Sequence, residues 1–164
     1  MTGLITAEAR QWIGREYEAQ TVAVSRNDIV RFAIATGADD PVHVDAAAAR
    51  RAGWADVVAP PGFVSLLAAY SQLLVPRSRL RQDGLVDEQY PPLPVNRVMV
   101  GEVDVRFHRP VVAGDEITVS KRLLDMAERT GRDGEAMVVL DFERRYVEGN
   151  GVLVAEERYA VIVR

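Results

Sequence analysis

The sequence of 164 residues contains no cysteine, so disulfides, thiolate metal sites and cysteine nucleophiles are excluded. It also lacks any stretch approaching the ~18 uninterrupted apolar residues that a membrane-spanning helix needs. Its first residues, MTGLITAEARQW, do not show the basic region followed by a long apolar one that marks a secretory signal. These absences predict a soluble, cytoplasmic protein with no membrane span.

The sequence is also poor in signatures of bound phosphates, metals and nucleic acids. It has no glycine-rich phosphate loop and no metal-ligand spacing of histidines and acids, so we expect no cofactor and no metal. The net charge of -4 argues against a protein that neutralises nucleic-acid phosphates. One basic cluster is followed at once by acids, which favours a solvated loop over a contact for CoA phosphates (Arg77, Arg79 and Arg81, then Asp83, Asp87 and Glu88).

The first half of the chain carries helical patterns. One predicted helix begins after the N-cap Ser25 and ends at the breaker Gly37. A short alanine-rich helix, DAAAARRAG, runs from a cap at Asp45 to Gly53. A third follows a proline pair and covers Phe63–Val75. Because this third helix is apolar almost all round, we expect it to lie inside the protein.

The second half carries strand patterns. Residues 76–95 are rich in proline, arginine and acids without a sustained period, which predicts a long excursion, either functional or mobile. Beyond it, Val103, Val105 and Phe107 alternate with polar residues. Further strands and their turns are predicted at 17–24, 117–119, 135–147 and 152–163, with turns at 113–115, 132–134 and Asn150-Gly151.

These patterns predict one domain, 1–164, of the α+β class. With 48% hydrophobic residues the chain is long enough for a real core. Helices lead, and an antiparallel meander follows. A sheet with one face wrapped around the apolar helix is the simplest arrangement that buries both apolar surfaces.

The stretch ATGADDPVHVD, residues 35–45, is the first candidate for chemistry. His43 suits proton transfer, and Asp39 and Asp40 are close enough in sequence to orient it or to share the proton. Pro41 makes the turn stiff and holds Asp40 extended. The residues alone leave the alternative open, in which His43 is a surface-loop histidine and the acids solvate a helix end.

The second candidate is PPGF at the start of the apolar helix. Gly62 presents a backbone N–H beside the positive end of the helix dipole, where a developing oxyanion such as a thioester enolate can be held. An ordinary helix start is the alternative. His108, before Pro110 at a strand end, is most simply structural. Ser65 and Ser71 have no basic partner in sequence, which disfavours a serine hydrolase.

Three blocks of sequence carry a family resemblance: IGREYEAQTVAVSRNDIVRFAIATG, DDPVHVDAAAARRAGWADVVAPPGF and GEVDVRFHRPVVAGDEITV. In order and spacing they resemble the MaoC-like dehydratase family, in particular its N-terminal, FAS1-like dehydratase branch. The resemblance implies the hotdog fold, an antiparallel sheet around a long central helix. It also implies (R)-specific hydration of trans-2-enoyl thioesters, or dehydration of (R)-3-hydroxyacyl thioesters, on CoA or acyl carrier protein.

The family's hydratase motif, G-D-x-N-P-x-H, falls on residues 37–43. His43 is kept, but Ala38 stands where the catalytic aspartate is expected and Asp40 where the asparagine is expected. The resemblance makes Gly62 the oxyanion residue, with Pro61 where active members often have histidine. We therefore predict His43, Asp40 and Asp39 as catalytic and Gly62, Pro61 and Phe63 as substrate-binding.

The missing aspartate leaves several readings open. The chain is either a hydratase subunit that obtains its main catalytic pair from a second hotdog, or a homodimer that uses His43 with Asp40 or Asp39. A non-catalytic acyl-thioester-binding hotdog is a reading of a different class, and a hotdog thioesterase is a weaker one. A lone hotdog would expose sheet edge and apolar surface, so we expect a homodimer or heterodimer.

Overall fold

The computed structural model describes residues 3–73, 76–82, 86 and 88–164. Its helices and strands are α1 Ala7–Arg10, β1 Gln20–Ala23, α2 Arg26–Thr36, α3 Ala46–Arg51, α4 Phe63–Leu73, β2 Val98–Phe107, β3 Glu116–Thr130, β4 Ala136–Glu148 and β5 Leu153–Val163. Short 3-10 turns lie at Pro41–His43 and Arg77–Arg79. The strands form one antiparallel sheet in the order β1-β3-β4-β5-β2. The α+β class predicted from the sequence is confirmed.

The helices α2 and α3 begin and end where their capping residues predict. The Ser25 hydroxyl accepts a hydrogen bond from the Asp28 N–H at 3.1 Å, which satisfies one of the free donors of the first turn. Gly37 ends α2 with a φ of 69°, a left-handed conformation that favours glycine. The Asp45 carboxylate accepts from the Ala47 N–H at 2.7 Å at the start of α3.

The sheet confirms the predicted meander for three strands and contradicts it for the fourth. β3, β4 and β5 follow one another through the predicted tight turns. β2, however, pairs with β5 at the far edge, with Val105 opposite Glu157. The connection after β2 cannot fold back as a hairpin because it bonds to the chain before α4. Ala59 N–H donates to the Val111 carbonyl at 2.8 Å, and Ala113 N–H donates to the Val57 carbonyl at 3.0 Å.

The apolar core has two parts along the sheet. One packs α4 and α2 against β1 and the neighbouring ends of β3 to β5, with Ile29, Phe63, Leu67, Ile117 and Tyr146 fully buried. The other packs α1 and residues 90–98 against the remaining half of the sheet, around Leu123, Leu140, Phe142 and Val161. Burial of one such large side chain contributes roughly 1.5–3 kcal/mol.

The apolar helix α4 is buried on one side only. Phe63, Val64 and Leu67 are buried against the sheet, whereas Ser65 and Ala69 are exposed. The predicted packing of this helix against one face of the sheet is therefore confirmed. The last two residues of the predicted helix, 74 and 75, lie outside the described residues.

The predicted excursion over residues 76–95 is irregular in its described part. It contains the turn Arg77–Arg79 and one isolated bridge between Leu80 and Val86. Arg79 is half-exposed and pairs with Glu18 at 3.0 Å, in keeping with a solvated loop. Asp83 and Asp87 lie outside the described residues. In the described part of the chain, no helix is long and apolar enough to cross a membrane.

Candidate active site

A pocket of about 430 Å³ opens at the start of α4. His43, residues 58–61, 63 and 64, and residues 107–111 form its wall. The wall is mainly apolar, and its titratable side chains are His43, His108 and Arg109. An apolar concavity with a few convergent polar groups is the usual form of a small-molecule site.

His43 enters this pocket from the 3-10 turn Pro41–His43. Its Nδ1 lies 2.6 Å from the Val58 carbonyl oxygen. Because a carbonyl oxygen can only accept, Nδ1 must donate this hydrogen bond. The neutral imidazole then keeps Nε2 as its free acceptor nitrogen. The half-buried neutral ring is thus held in one tautomer, and its proton-accepting nitrogen has no hydrogen-bond partner among the described residues.

The structure does not bring the two neighbouring acids to this pocket. Asp40 is the N-cap of the turn, and its carboxylate accepts from the Val42 N–H at 3.0 Å. Asp39 is exposed, and neither acid is part of the pocket wall. Ala38, at the position of the family's aspartate, places only a methyl group there. The catalytic roles predicted for Asp39 and Asp40 stay predictions.

The helix start supplies a free hydrogen-bond donor. The Phe63 N–H donates to the Pro60 carbonyl at 2.9 Å, whereas the Gly62 N–H makes no hydrogen bond to any residue the structure describes. Pro61 and Phe63, on either side of Gly62, both line the pocket. This donor lies at the positive end of the α4 dipole, where partial negative charge is stabilised. Two of the predicted substrate-binding residues, Pro61 and Phe63, therefore share one pocket with His43, and Gly62 lies between them in the chain.

His108 is the site residue that the sequence reading missed. It follows β2, as a strand-end residue should, but it also lines the pocket, so both histidines of the chain share one cavity. Its Nε2 lies 3.2 Å from the Glu156 carboxylate on β5. No local signal could have revealed this pair, because the two residues meet only through the pairing of β2 with β5.

Arg109 fixes the segment that forms this wall. It contacts Asp115 at 2.8 Å and Glu148 at 2.6 Å, and donates to the Pro110 carbonyl. Burial opposes its charged form, but the hydrogen bonds that Arg109 donates to Asp115 and Glu148, and the charges of these carboxylates, outweigh burial and raise the pKa of Arg109. We therefore assign Arg109 a structural role. Within the described ranges, no three His, Asp or Glu side chains are grouped closely enough to hold a metal ion.

Solved structures define the class of this fold. The HadBC (3R-hydroxyacyl-ACP dehydratase) complex from Mycobacterium tuberculosis superposes with a TM-score of 0.70 and 25% identity, covering 92% of this chain and 96% of that one. The R-hydratase PhaJ1 from Pseudomonas aeruginosa superposes with a TM-score of 0.62 and 20% identity, covering 92% and 81%. At that identity PhaJ1 supports the fold alone. The predicted hotdog fold is confirmed, and the protein is a MaoC-like hotdog.

Sequence relatives narrow the class to a family. The chain belongs to the family described as "FAS1-like, dehydratase domain region", which matches residues 11–157. A UPF0336 protein of Clavibacter michiganensis subsp. michiganensis is 38% identical over 141 residues, 86% of this chain and 85% of the relative. A UPF0336 protein of Saccharopolyspora erythraea is 33% identical over 148 residues, 90% of this chain and 86% of the relative.

Proposed function

We propose that this chain is a subunit of an (R)-specific enoyl-thioester hydratase, or 3-hydroxyacyl-thioester dehydratase, that pairs with a second hotdog. The observation that carries the proposal is the fixed tautomer of His43, whose Nδ1 is held by Val58 and whose Nε2 is free. This group lies in an apolar pocket at the start of α4. The 3R-hydroxyacyl-ACP dehydratase named above is similar to this chain over nearly its whole length.

The proposed hydration begins with a water molecule at C3 of a trans-2-enoyl thioester. His43 Nε2 takes one proton from the water as its oxygen bonds to C3. The C2–C3 π electrons move towards the thioester carbonyl, and the Gly62 N–H donates to the enolate oxygen that develops. A proton delivered to C2 completes the 3-hydroxyacyl thioester. Dehydration is the same sequence reversed.

The proton for C2 needs a second acid, and this chain does not place one beside His43 in the described wall. Asp40 already caps the turn through its carboxylate. We propose that the partner hotdog supplies the acid that Ala38 lacks. Within this chain, the His108–Glu156 pair is the other proton-carrying group in the same pocket.

The edge strand β2 is the surface that we assign to the partner. Met99, Val100, Val103 and Phe107 are large apolar side chains that remain 42–63% exposed along it. An uncovered sheet edge with an apolar face is a site for pairing with another chain. Phe107 also belongs to the pocket wall, so a partner on β2 would border the pocket. The HadBC structure and the ChsH1-ChsH2 structure from Mycobacterium tuberculosis are both described as complexes.

The test compares the purified chain alone with the chain co-purified with a hotdog partner, using crotonyl-CoA. We expect hydration by the complex and none by the chain alone. His43→Ala in the complex should abolish turnover while thermal unfolding stays unchanged, and Asn27→Ala, an exposed substitution on α2, should have no effect. A complex that keeps full activity without the His43 imidazole would exclude the proposal.

The missing acid also favours a second candidate, a non-catalytic acyl-thioester-binding hotdog. Ala38 and the capping role of Asp40 are the observations behind it. This candidate predicts that crotonyl-CoA binds to the complex and that turnover is independent of His43. Turnover by the chain alone would instead favour a self-sufficient homodimer. Release of free CoA, followed with a thiol reagent, would identify a thioesterase.

A further inference from the structure

A second pocket, of about 190 Å³, lies towards the other end of α4. Lys121 on β3 lines it, together with Tyr17, Ser71, Gln89 and Val119. It shares no wall residue with the pocket of His43. Lys121 is the single lysine of the chain, since the other 19 of its 20 basic residues are arginines. Nothing in the proposed thioester chemistry uses this pocket.

Aromatic rings surround the Lys121 ammonium group. Its Nζ lies 3.9 Å from the centre of the Tyr17 ring, 4.8 Å from Phe142 and 5.5 Å from Tyr90. It donates one hydrogen bond, to the Gln89 carbonyl at 3.2 Å. An ammonium group has three donors, so two remain available. These rings hold the amine in place but offer no full negative charge.

Each arginine in the same wall already has a carboxylate partner. Arg15 pairs with Glu88 at 2.5 Å, Arg79 with Glu18 at 3.0 Å and Arg144 with Glu157 at 2.6 Å. Lys121 has no such ion pair with any residue that the structure describes. Lys121 is therefore the one cation of this wall without a carboxylate in contact among the described residues, and the wall's remaining carboxylate, Glu16, is exposed.

Two further observations show that this pocket is short of an acceptor. Burial, reinforced by Arg144 and Arg15, lowers the pKa of Lys121 to about 7, because no anion offsets the loss of hydration. The Tyr17 hydroxyl is buried without a hydrogen-bond partner among the described residues. Burial raises the pKa of Tyr17 to about 12, so this hydroxyl remains a donor at neutral pH. Buried donors normally have partners.

The size and charge of the pocket define the ligand class. A volume of about 190 Å³ leaves room for a small organic molecule. A single uncompensated cation suits a monoanion better than a phosphate dianion. Val86 and Val119 give the wall an apolar part for a short hydrocarbon tail.

We propose that the Lys121 pocket binds a small aliphatic monocarboxylate, whose carboxylate accepts from Lys121 Nζ and whose tail lies against Val86 and Val119. Gln89, which accepts from Lys121, and Val86 belong to the segment between α4 and β2. The bound carboxylate would therefore join that segment to β3. This site is independent of the thioester chemistry at His43.

The experiment uses the unchanged chain, labelled with ¹³C and ¹⁵N lysine, because one lysine gives one side-chain signal. Butyrate is titrated while the Lys121 Cε resonance is recorded over a range of pH, and uncharged butyramide of the same shape is the control. We expect a saturable shift with butyrate only. We also expect the pKa of Lys121 to be at least one unit higher when butyrate is bound, which means that butyrate binds the protonated amine at least tenfold more tightly than the neutral amine. No shift, or an equal shift with butyramide, would overturn the proposal.

Two variants locate the effect. Lys121→Met should weaken butyrate binding at least tenfold by calorimetry, since it removes the cation and keeps an unbranched chain of similar length. His43→Ala should leave the butyrate-induced Lys121 shift unchanged, which separates this site from the thioester pocket. If His43→Ala abolishes that shift, butyrate acts through the other pocket and the proposal is wrong. The titration of the unchanged chain decides the matter even if Lys121→Met does not fold.

Discussion

The two pockets near the ends of α4 are built in opposite ways. Backbone groups set the geometry of the His43 pocket: the Val58 carbonyl orients the imidazole, and the Gly62 N–H is left free at the helix start. Side chains set the geometry of the Lys121 pocket, where rings and ion pairs surround the amine. The first borders an uncovered sheet edge. The second is formed by residues on β1, β3, β4 and α4, by the segment before β1 and by the segment between α4 and β2.

This difference indicates what each pocket lacks. The His43 pocket lacks an acid and has Phe107 of the exposed β2 edge in its wall, so we expect another chain to complete it. In the Lys121 pocket, Lys121 has no contacting carboxylate among the described residues, so we expect a small anion to complete the site. Four predictions test this contrast between the His43 pocket and the Lys121 pocket, from the largest expected effect to the smallest.

The two histidines of the first pocket should differ strongly in their effect on turnover. His43→Gln in the active complex should lower kcat/KM for crotonyl-CoA by about 10²–10⁴, the usual contribution of a positioned acid or base. His108→Gln should lower it less than tenfold, because His108 is partly exposed and paired with Glu156 rather than fixed by the backbone. Steady-state kinetics on both variants checks this order, and equal losses would show that proton transfer does not depend on the fixed tautomer.

Removal of the counter-charge of Arg144, which lines the Lys121 pocket, should destabilise the fold. Arg144 and Glu157 form an ion pair with side chains only 10% and 8% exposed, and the Tyr146 hydroxyl also donates to Glu157. Glu157→Gln leaves Arg144 buried without a counter-charge, and we expect the free energy of unfolding to fall by about 3 kcal/mol. Denaturant unfolding measures this change. Its neighbour Glu156→Gln, on the exposed pair with His108, should change stability by less than about 0.5 kcal/mol.

A charge on the β2 edge should weaken association with the partner. Val103→Asp places a carboxylate in the apolar surface of β2, and we expect the Kd for the partner to rise about 30-fold, or about 2 kcal/mol. Val152→Asp is a matched control, because Val152 is 46% exposed and Val103 48%, but Val152 lies in the β4–β5 turn. Sedimentation of the mixed chains checks both variants. Equal weakening by the two would assign the partner to a different surface.

The smallest effect is a pH dependence of stability that comes from Lys121. Its pKa is about 7 in the folded chain, against about 10.4 for a free lysine. Between these pH values the unfolded chain binds more protons than the folded chain, so the free energy of unfolding rises as the pH increases from about 7 towards 10. This contribution to stability is lost again as the pH falls back to about 7. After a discount for solvent screening, we expect a gain on the order of 1 kcal/mol between pH 6 and 9.

Lys121→Met removes this titration, so its unfolding free energy should lack the gain over the same pH range. Urea unfolding at several pH values, in buffers without carboxylates, compares the two chains. Parallel pH profiles would mean that the folded chain keeps Lys121 charged and solvated. In that case water would stabilise the Lys121 ammonium group, and the second pocket would not need an anion as its partner.

Features that depend on residues close together in the sequence were predicted correctly, whereas features that depend on residues far apart in the sequence were not. The ends of α2 and α3 were predicted correctly because Ser25 and Asp45 bond to backbone groups two or three residues away. The tight turns at Gly134 and Gly151 were predicted because their positive φ values favour glycine. The place of β2 in the sheet was not predicted, since an alternating pattern does not state which strand it pairs with.

The sequence by itself determined α2, α3, the tight turns of the meander and the family, because these depend on local hydrogen bonds and on ordered motifs. Only the tertiary structure decided which residues meet across the sheet. His108 reaches Glu156, 48 residues away, through the placement of β2 beside β5. Lys121 becomes a half-buried amine without a contacting carboxylate among the described residues, because rings from distant segments surround it. Neither arrangement is encoded at short range, since both depend on strand order and register.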